Sequence, residues 1–338
     1  MFSQWEHPFS NYGGEYMGHK YQKIVGFIIS ITIAAIILGV MLARVWDDLL
    51  IAVTYMQHLY GIPAIGFCLL AWLMRGYRYQ KILRNMAIPA GLLFSTACIF
   101  LSQTINLIVP ARLGDLVRII PIRHEYKATV SQGLSSIVIE RLFDIITIAL
   151  LGLIAVVFII DVPDWFVFLI VIALILAGIG VLFILISKEW TTNNRYLGFV
   201  LNMLGEIRAA SLSRAAIVML LVTSTIIWIL DILVCYSVAL MFNVAIPFHL
   251  VLLAIVIGNL VKAIPITPGG IGTYELALTA TFELGKVPAA AATIVSVIDH
   301  LIKNLITLIG GAVSILYFGT WIIPSITELV REKLFNKP

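Results

Sequence analysis

Two short stretches of this chain set charged residues beside helix-breaking proline and glycine within otherwise apolar sequence. The first runs from Asn106 through Pro110, Arg112, Gly114 and Asp115 to Arg118. Pro110 removes a helix hydrogen bond and Gly114 lowers helix propensity, so one helix stops there and another can start near Asp115. The roughly 13 residues from Asp115 to Lys127 rise about 20 Å as a helix, which sets this tip well inside a bilayer. Arg112 and Asp115 are then buried charges, and an intramembrane arginine costs several kcal/mol unless a partner or a substrate faces it. The second stretch, Pro265 to Glu275, holds Pro268, Gly269, Gly270 and Gly272. Its glycines free the backbone to aim several amide donors at one point and let a ligand come close. Helix N-termini at both tips, with Arg112 and Arg118, form a site suited to a phosphate, to which Asp115 and Glu275 also belong. Two plainer readings stand beside this one: the glycines as ordinary turns, and Arg112 with Asp115 as an interfacial salt bridge.

Further charges lie within apolar runs. Arg141 and Asp144 are spaced i, i+3 and share a helix face, with Glu140 adjacent, so they can form a structural bridge or face a cavity. Asp299 and Lys303 are spaced i, i+4, and His300 beside them is a candidate proton carrier near neutral pH. Asp231 has no local partner and can pair with Arg141 or Lys262, or take up a proton. Arg75 and Arg78, in WLMRGYRYQKIL, sit where they either snorkel to headgroups or capture an anionic one first.

The elements that must position these residues are membrane helices. Of 338 residues 61% are apolar and only 12% charged, and mean hydropathy is +1.05. Eight apolar segments lie near 24–43, 61–74, 88–109, 128–160, 165–187, 215–242, 247–264 and 288–323. The short segment at 61–74 is expected to begin earlier, within Leu49–Tyr60. Residues 1–23 are polar and aromatic, and 24–43 is too long for a cleaved signal, so it reads as an uncleaved anchor. Arg75, Arg78, Lys81 and Arg84 make one basic loop; Arg112, Arg118, Arg123 and Lys127 another; Lys188, Arg195, Arg208 and Arg214 a third. Asp47 with Asp48, and Asp161 with Asp164, mark acidic loops. All basic loops reach the cytoplasm if 88–127 dips into the membrane and returns, and the C-terminus (Arg331, Lys333, Lys337) joins them if 247–287 dips from the other side. The expected fold is an all-α polytopic membrane bundle of six full spans and two oppositely oriented re-entrant hairpins, forming one transmembrane domain over 1–338, in the plasma membrane with both termini cytoplasmic. A weak internal repeat, with halves near 60–160 and 215–323, points the same way: Trp72 and Arg75 match Trp228 and Asp231, Pro110 and Gly114 match Pro268 and Gly272, and Glu140, Arg141 and Asp144 match Asp299, His300 and Lys303.

At these motifs the chain resembles the transmembrane region of the lysylphosphatidylglycerol synthase family and its stand-alone flippase-like relatives, some implicated in archaeal dolichol-phosphate-mannose translocation. The resemblance rests on WLMRGYRY, the N-x-x-x-P-x-R-x-G-D-x-x-R of Asn106 to Arg118, the E-R-x-x-D of Glu140 to Asp144, and PITPGGIGTYE, and covers about residues 60–315. Asp115 stands where the family often has Glu, which keeps the carboxylate. The 15 residues from Pro324 to Pro338 are too short for an aminoacyl-transferring domain, so the resemblance implies transport without lipid synthesis. The expected function is a carrier, not an enzyme, that moves a phosphate-bearing lipid headgroup such as a polyprenyl-phosphate sugar or an anionic phospholipid. In it Arg112 and Arg118 hold the phosphate, while Glu140, Asp144, Asp231, Glu275 and Asp299 balance charge or carry protons. A proton or sodium ion is a possible coupling ion. The rivals are a secondary transporter of a small soluble anion and a membrane enzyme acting on lipid phosphates. Against the enzyme, His7, His19, His58, His124, His249 and His300 are scattered, and Cys68, Cys98 and Cys235 show no disulfide or zinc spacing. No cofactor, metal or nucleic acid is expected, and oligomeric state is left open.

Overall fold

A computed structural model describes residues 12–109, 112–157, 164–187, 190, 192–264 and 266–335, with side chains from 28 to 329 apart from 49, 165 and 166. Pro110, Asp161, Lys188, Pro265 and Lys337, and the side chains of His7, His19, Arg331 and Lys333, lie outside the described residues. Among the described residues fourteen α-helices follow in order: α1 (Tyr12–Arg44), α2 (Trp46–Thr54), α3 (Gly61–Asn85), α4 (Leu92–Ile108), α5 (Gly114–Val117), α6 (Ile119–Tyr126), α7 (Val130–Val157), α8 (Asp164–Ile186), α9 (Arg195–Ser211), α10 (Arg214–Met241), α11 (Phe248–Ala263), α12 (Thr273–Leu284), α13 (Ala289–Phe318) and α14 (Ile322–Phe335).

Polarity is arranged inside out relative to a water-soluble bundle. Leu176, Ile179 and Leu316 are 62%, 57% and 81% exposed, whereas Arg78, Arg118 and Asp299 are at 1% or below. Apolar side chains on the outside match a hydrocarbon solvent, and charges gathered inside match what such a solvent excludes. The chain is an integral, multi-pass, all-α membrane bundle. By length and composition four described helices suffice to cross, His58–Asn85, Val167–Ile186, Arg214–Met241 and Ala289–Phe318; the bent pair Ile28–Arg44 and Trp46–Thr54, meeting at 72°, adds a fifth if it is one span. Helix α7 has 28 residues but carries Glu140, Arg141 and Asp144 along its length.

Two boundaries differ from the sequence reading. The segment at 61–74 does begin earlier, at His58 within Leu49–Tyr60, since a 3-10 turn at His58–Tyr60 leads straight into α3; what differs is its end, which runs on to Asn85. Arg75 and Arg78 look like the start of a loop in sequence, yet both are paired inside the bundle, so their helix continues. Helix α1 begins at Tyr12 rather than near Ile24.

Helices α4 and α11 have 17 and 16 residues, about 25 Å each, short of a ~30 Å hydrocarbon core. Each is the first arm of a helical hairpin. In the first, Asp115 accepts hydrogen bonds from Ser102 and Asn106, and the Tyr126 ring meets Phe94 edge-on at 5.0 Å, so α5 and α6 run back along α4. Gly114 is forced by this return: a Cβ there would stand 2.3 Å from the Ser102 carbonyl oxygen. In the second hairpin Gly258 packs on Tyr274 and Leu278, and Gly285 on Leu250, so α12 runs back along α11.

The order of helix, hairpin and long helix occurs twice, as α3 to α7 and α10 to α13. Leu92 and Phe248 begin the hairpins 156 residues apart (248 − 92), and Val130 and Ala289 begin the long helices 159 apart (289 − 130). Helices α3 and α10 are antiparallel neighbours, since the Gln57 amide reaches the Met241 carbonyl at 2.8 Å, Arg75 reaches Asp231, and Asn85 reaches the Ala210 carbonyl at 2.8 Å. Each hairpin leans on the other set's long helix. Thr104 of α4 donates to the Thr307 carbonyl of α13 at 2.9 Å across Gly310 and Gly311, and Val256 of α11 rests on Gly152 of α7. Small residues at such crossings let helix backbones approach where no hydrophobic effect draws them together.

Arg75 and Asp231 are bonded at 2.5 Å, and each is 156 residues from the other (231 − 75), at matching places in the two sets. Exchanging them is therefore a stringent test of this packing. Arg75→Asp alone is expected to lower stability by roughly 3 kcal/mol through two facing carboxylates, and Arg75→Asp with Asp231→Arg to regain most of it, read as thermal unfolding in detergent. Equal losses in the single and double variants would refute the pairing.

Candidate functional site

The two hairpin tips meet in the middle of the bundle, beside the midpoints of α3, α7 and α10. Val109 is extended and Arg112 adopts the left-handed region at φ 54°, which turns the first tip; only a few per cent of non-glycine residues do this, and they concentrate at functional sites. The second tip is a 3-10 turn, Pro268–Gly270, with Gly269 at φ 62°. A Cβ on Gly269 would lie 2.5 Å from Leu107 of the first tip, so glycine there serves both the turn and the contact between hairpins.

Between the tips lies a cavity of about 150 Å³. Its cationic lining is Arg75, Arg112, Arg141, Lys262 and Lys303, faced by Glu140, Asp144 and Asp231. Trp72 and Trp228, at matching places in α3 and α10, close two sides, and Gln103, Asn106, Asn259 and Asn304 add neutral amides.

Ion pairing decides which of these charges is available. Arg75 holds Asp231 at 2.5 Å; Arg78 holds Asp144 at 2.5 Å and Glu140 at 2.9 Å; Arg118 also holds Glu140; Arg141 holds Asp115 at 2.7 Å; Lys303 holds Asp299 at 2.8 Å. Glu275 is bonded to His300 at 2.8 Å and accepts from the Gly272 amide at 2.8 Å, capping α12. Among the described residues this leaves two of the cavity's cations without a carboxylate partner, Arg112 and Lys262, one from each hairpin. They are neighbours: the Arg112 guanidinium donates to the Lys262 carbonyl at 2.9 Å, and the Lys262 ammonium lies 3.1 Å from His300 Nε2 and 5.3 Å from the centre of the Tyr274 ring. Two adjacent cations in a low-dielectric interior repel one another, and an anion between them removes that repulsion.

Several residues singled out in the sequence stand elsewhere. Arg118, expected to hold phosphate with Arg112, is fully buried, stacked over Tyr79 and committed to Glu140, away from the cavity. Arg78 is likewise enclosed rather than at a headgroup surface. Asp115 is buried under Ser102, Gln103 and Asn106 and pairs with Arg141, not with Arg112. Arg141 and Asp144 do not bridge each other on α7: one turns to the first hairpin, the other to α3. Asp231 finds Arg75 rather than Arg141 or Lys262. Asp299 and Lys303 do pair at i, i+4, and Tyr274 donates to the same carboxylate at 2.9 Å. Of the glycines, Gly269 and Gly270 border the cavity, whereas Gly272 faces Ala34 and Ile37 of α1. Lys262 carries more of the site than its sequence context indicates; the one signal available was a lysine inside an apolar run.

Compared with known proteins, residues 27–311 match the lysylphosphatidylglycerol synthase transmembrane region. The chain belongs to that family. The match takes in both hairpins and every charged residue of the cavity. The chain is also 32% identical to Glycosyltransferase AglD of Haloferax volcanii over 78% of this chain, and spans about half, 49%, of that relative's length. It is 28% identical to a UPF0104 membrane protein of Methanocaldococcus jannaschii over 62% of this chain and 92% of the relative. A UPF0104 membrane protein of Methanothermobacter thermautotrophicus is 20% identical over 76% and 83%. Among the described residues of this family member no group of three or more His, Cys, Asp or Glu is placed to hold a metal ion.

Proposed function

We propose that the chain is a flippase-type carrier that moves a phosphate-bearing lipid headgroup, of a polyprenyl-phosphate sugar or an anionic phospholipid, across the plasma membrane. The observation that carries this reading is the meeting of Arg112 and Lys262, unpaired with any described carboxylate, at the tips of two opposed hairpins. An anionic headgroup seated there satisfies both cations while its tails stay in lipid, and Gly269 and Gly270 let it approach the backbone. Membership of a lipid-synthase transmembrane family supports a lipid cargo over a soluble anion. In this reading α1, α3, α7, α8, α10 and α13 are six full spans, the hairpins are re-entrant, and the two sets, near 60–160 and 215–323, form an inverted repeat in one transmembrane domain. Rocking of the two sets about the α3–α10 contact gives alternating access. The paired charges, Glu140, Asp144, Asp231 and Asp299 among them, hold the halves in register.

Reconstitution tests it. Liposomes holding the protein and a fluorescent anionic phospholipid are expected to expose inner-leaflet label to an impermeant quencher faster than protein-free ones, and rates no faster than protein-free liposomes for each of several anionic lipids would end the carrier reading. The topology has its own test. Cysteines at Asn85 and Glu125 are expected to react with a membrane-impermeant reagent from the cytoplasmic side, and cysteines at Asn243 and Lys286 from the opposite side, because each hairpin returns to the face it left. Labelling of Asn85 and Glu125 from opposite faces would replace the first hairpin by a full crossing.

A further inference from the structure

Among the described residues the hydrogen-bond partner of the Lys262 ammonium is a histidine ring, not a carboxylate. Lys262 Nζ lies 3.1 Å from His300 Nε2, and His300 Nδ1 lies 2.8 Å from Glu275 Oε1. An ammonium has no lone pair and can only donate, so Nε2 must accept; an ionised carboxylate can only accept, so Nδ1 carries the proton. The geometry therefore describes a neutral imidazole, held in one tautomer between a cation and an anion. Glu275 is anchored in turn by the Gly272 amide, which keeps this end of the relay fixed.

Other groups around His300 leave this balance to a few charges. Asp299 and Lys303, on its own helix, neutralise each other, and Tyr274 of α12, with its ring 4.5 Å from the imidazole, is bonded to Asp299. Asp231 of α10 is neutralised by Arg75 of α3. What remains is Glu275 on one side and Lys262 and Arg112 on the other. While the cavity holds no anion, a second positive charge on His300 would stand 3.1 Å from the Lys262 ammonium, which excludes it. An anion changes both terms. It draws the ammonium toward itself, which frees Nε2, and its charge cancels the repulsion that kept the ring neutral. Nε2 can then take a proton from solvent and offer a third N–H to the anion, with Glu275 facing the resulting imidazolium.

We propose that His300 is a proton-binding site coupled to the anion site, so that one proton is taken up with each anionic headgroup bound at Arg112 and Lys262. This rests on the anion-binding reading above and assigns it a coupling ion. The sign follows from linkage: the complex holds one proton more than the empty protein, so affinity rises as pH falls, by up to tenfold per pH unit where His300 titrates.

The test uses the intact purified protein and glycerophosphoglycerol, a phosphodiester whose own charge is constant across the range. Titration calorimetry between about pH 5.5 and pH 8, in buffers of different ionisation enthalpy, counts the protons. Uptake of close to one proton per bound phosphodiester is expected, with affinity falling as pH rises. His300→Gln, whose amide can still accept from Lys262, is expected to bind with no pH dependence and no proton uptake. Binding by the intact protein without proton uptake would overturn the coupling and leave the anion site standing. A retained pH slope in His300→Gln would overturn the assignment to His300. Absence of binding at every pH would overturn the anion site and this inference with it. Should the variant not fold, the proton count on the intact protein still decides the coupling.

Discussion

Replacing Arg112 and Lys262 together by methionine is expected to slow translocation of an anionic headgroup at least ~100-fold while leaving the folded protein as stable as before, or more so. Each cation offers the headgroup a charge-assisted hydrogen bond, worth roughly 1.5–3 kcal/mol, and the two together reach about 3–6 kcal/mol. Stability moves the other way: neither cation is bonded to a described carboxylate, removing both relieves a repulsion, and His300, no longer facing a cation, can take up the proton that keeps its partner Glu275 neutralised. Methionine keeps most of the length and the apolar stem of either side chain. Each single variant should lose on the order of tenfold or more, by the same hydrogen-bond range. The measurement is translocation in liposomes beside thermal unfolding in detergent. A double variant that translocates normally refutes the site, whereas one that has lost both activity and stability places these cations in the scaffold instead.

The opposite pattern is expected at Glu140. This carboxylate touches two arginines, Arg78 at 2.9 Å and Arg118, which are 1% and 0% exposed. Arg78 keeps Asp144 when Glu140 is removed, but Arg118 has no second carboxylate bonded to it among the described residues. A fully buried guanidinium left unpaired costs about 3–5 kcal/mol, so Glu140→Leu is expected to destabilise the protein by that amount or to prevent its accumulation in the membrane. Adding Arg118→Met should restore most of the loss, since a buried pair replaced by apolar side chains of similar size is near neutral. Thermal unfolding of the three proteins checks this. A stable Glu140→Leu protein would show that Arg118 is solvated or paired in some other way. Glu140 and Arg118 thus belong to the frame that holds α7 against the first hairpin, and Arg112 and Lys262 to what the frame presents.

Much of this division can be traced to the chain itself. Apolar runs long enough to span, broken once by Pro110 and Gly114 and again by Pro268 to Gly272, dictate a membrane bundle with two interrupted helices, because backbone period and the loss of helix bonds at proline are local properties. The i, i+4 pairing of Asp299 with Lys303 is equally local, set by helix geometry alone. The match of Arg75 to Asp231 across 156 residues was visible as a weak repeat, but not that the two residues bond to each other. That required α3 and α10 to lie antiparallel, which brings equivalent positions of the two sets face to face.

Partner choice among the remaining charges followed no sequence rule. Arg141 and Asp144 share a helix face, yet each is bonded to a partner on another element, Arg141 to Asp115 at 2.7 Å and Asp144 to Arg78 at 2.5 Å. Arg112 and Arg118 look alike in sequence, six residues apart on one motif (118 − 112), and tertiary packing separated them: one is sealed against Glu140, the other left facing a cavity. Sequence by itself determined that this chain is a membrane protein that buries many charges around two broken helices. Only the tertiary structure decided which charges cancel, because in a medium of low dielectric an ion's role depends on whether a countercharge lies within bonding distance, and that distance is set by helices far apart in the chain.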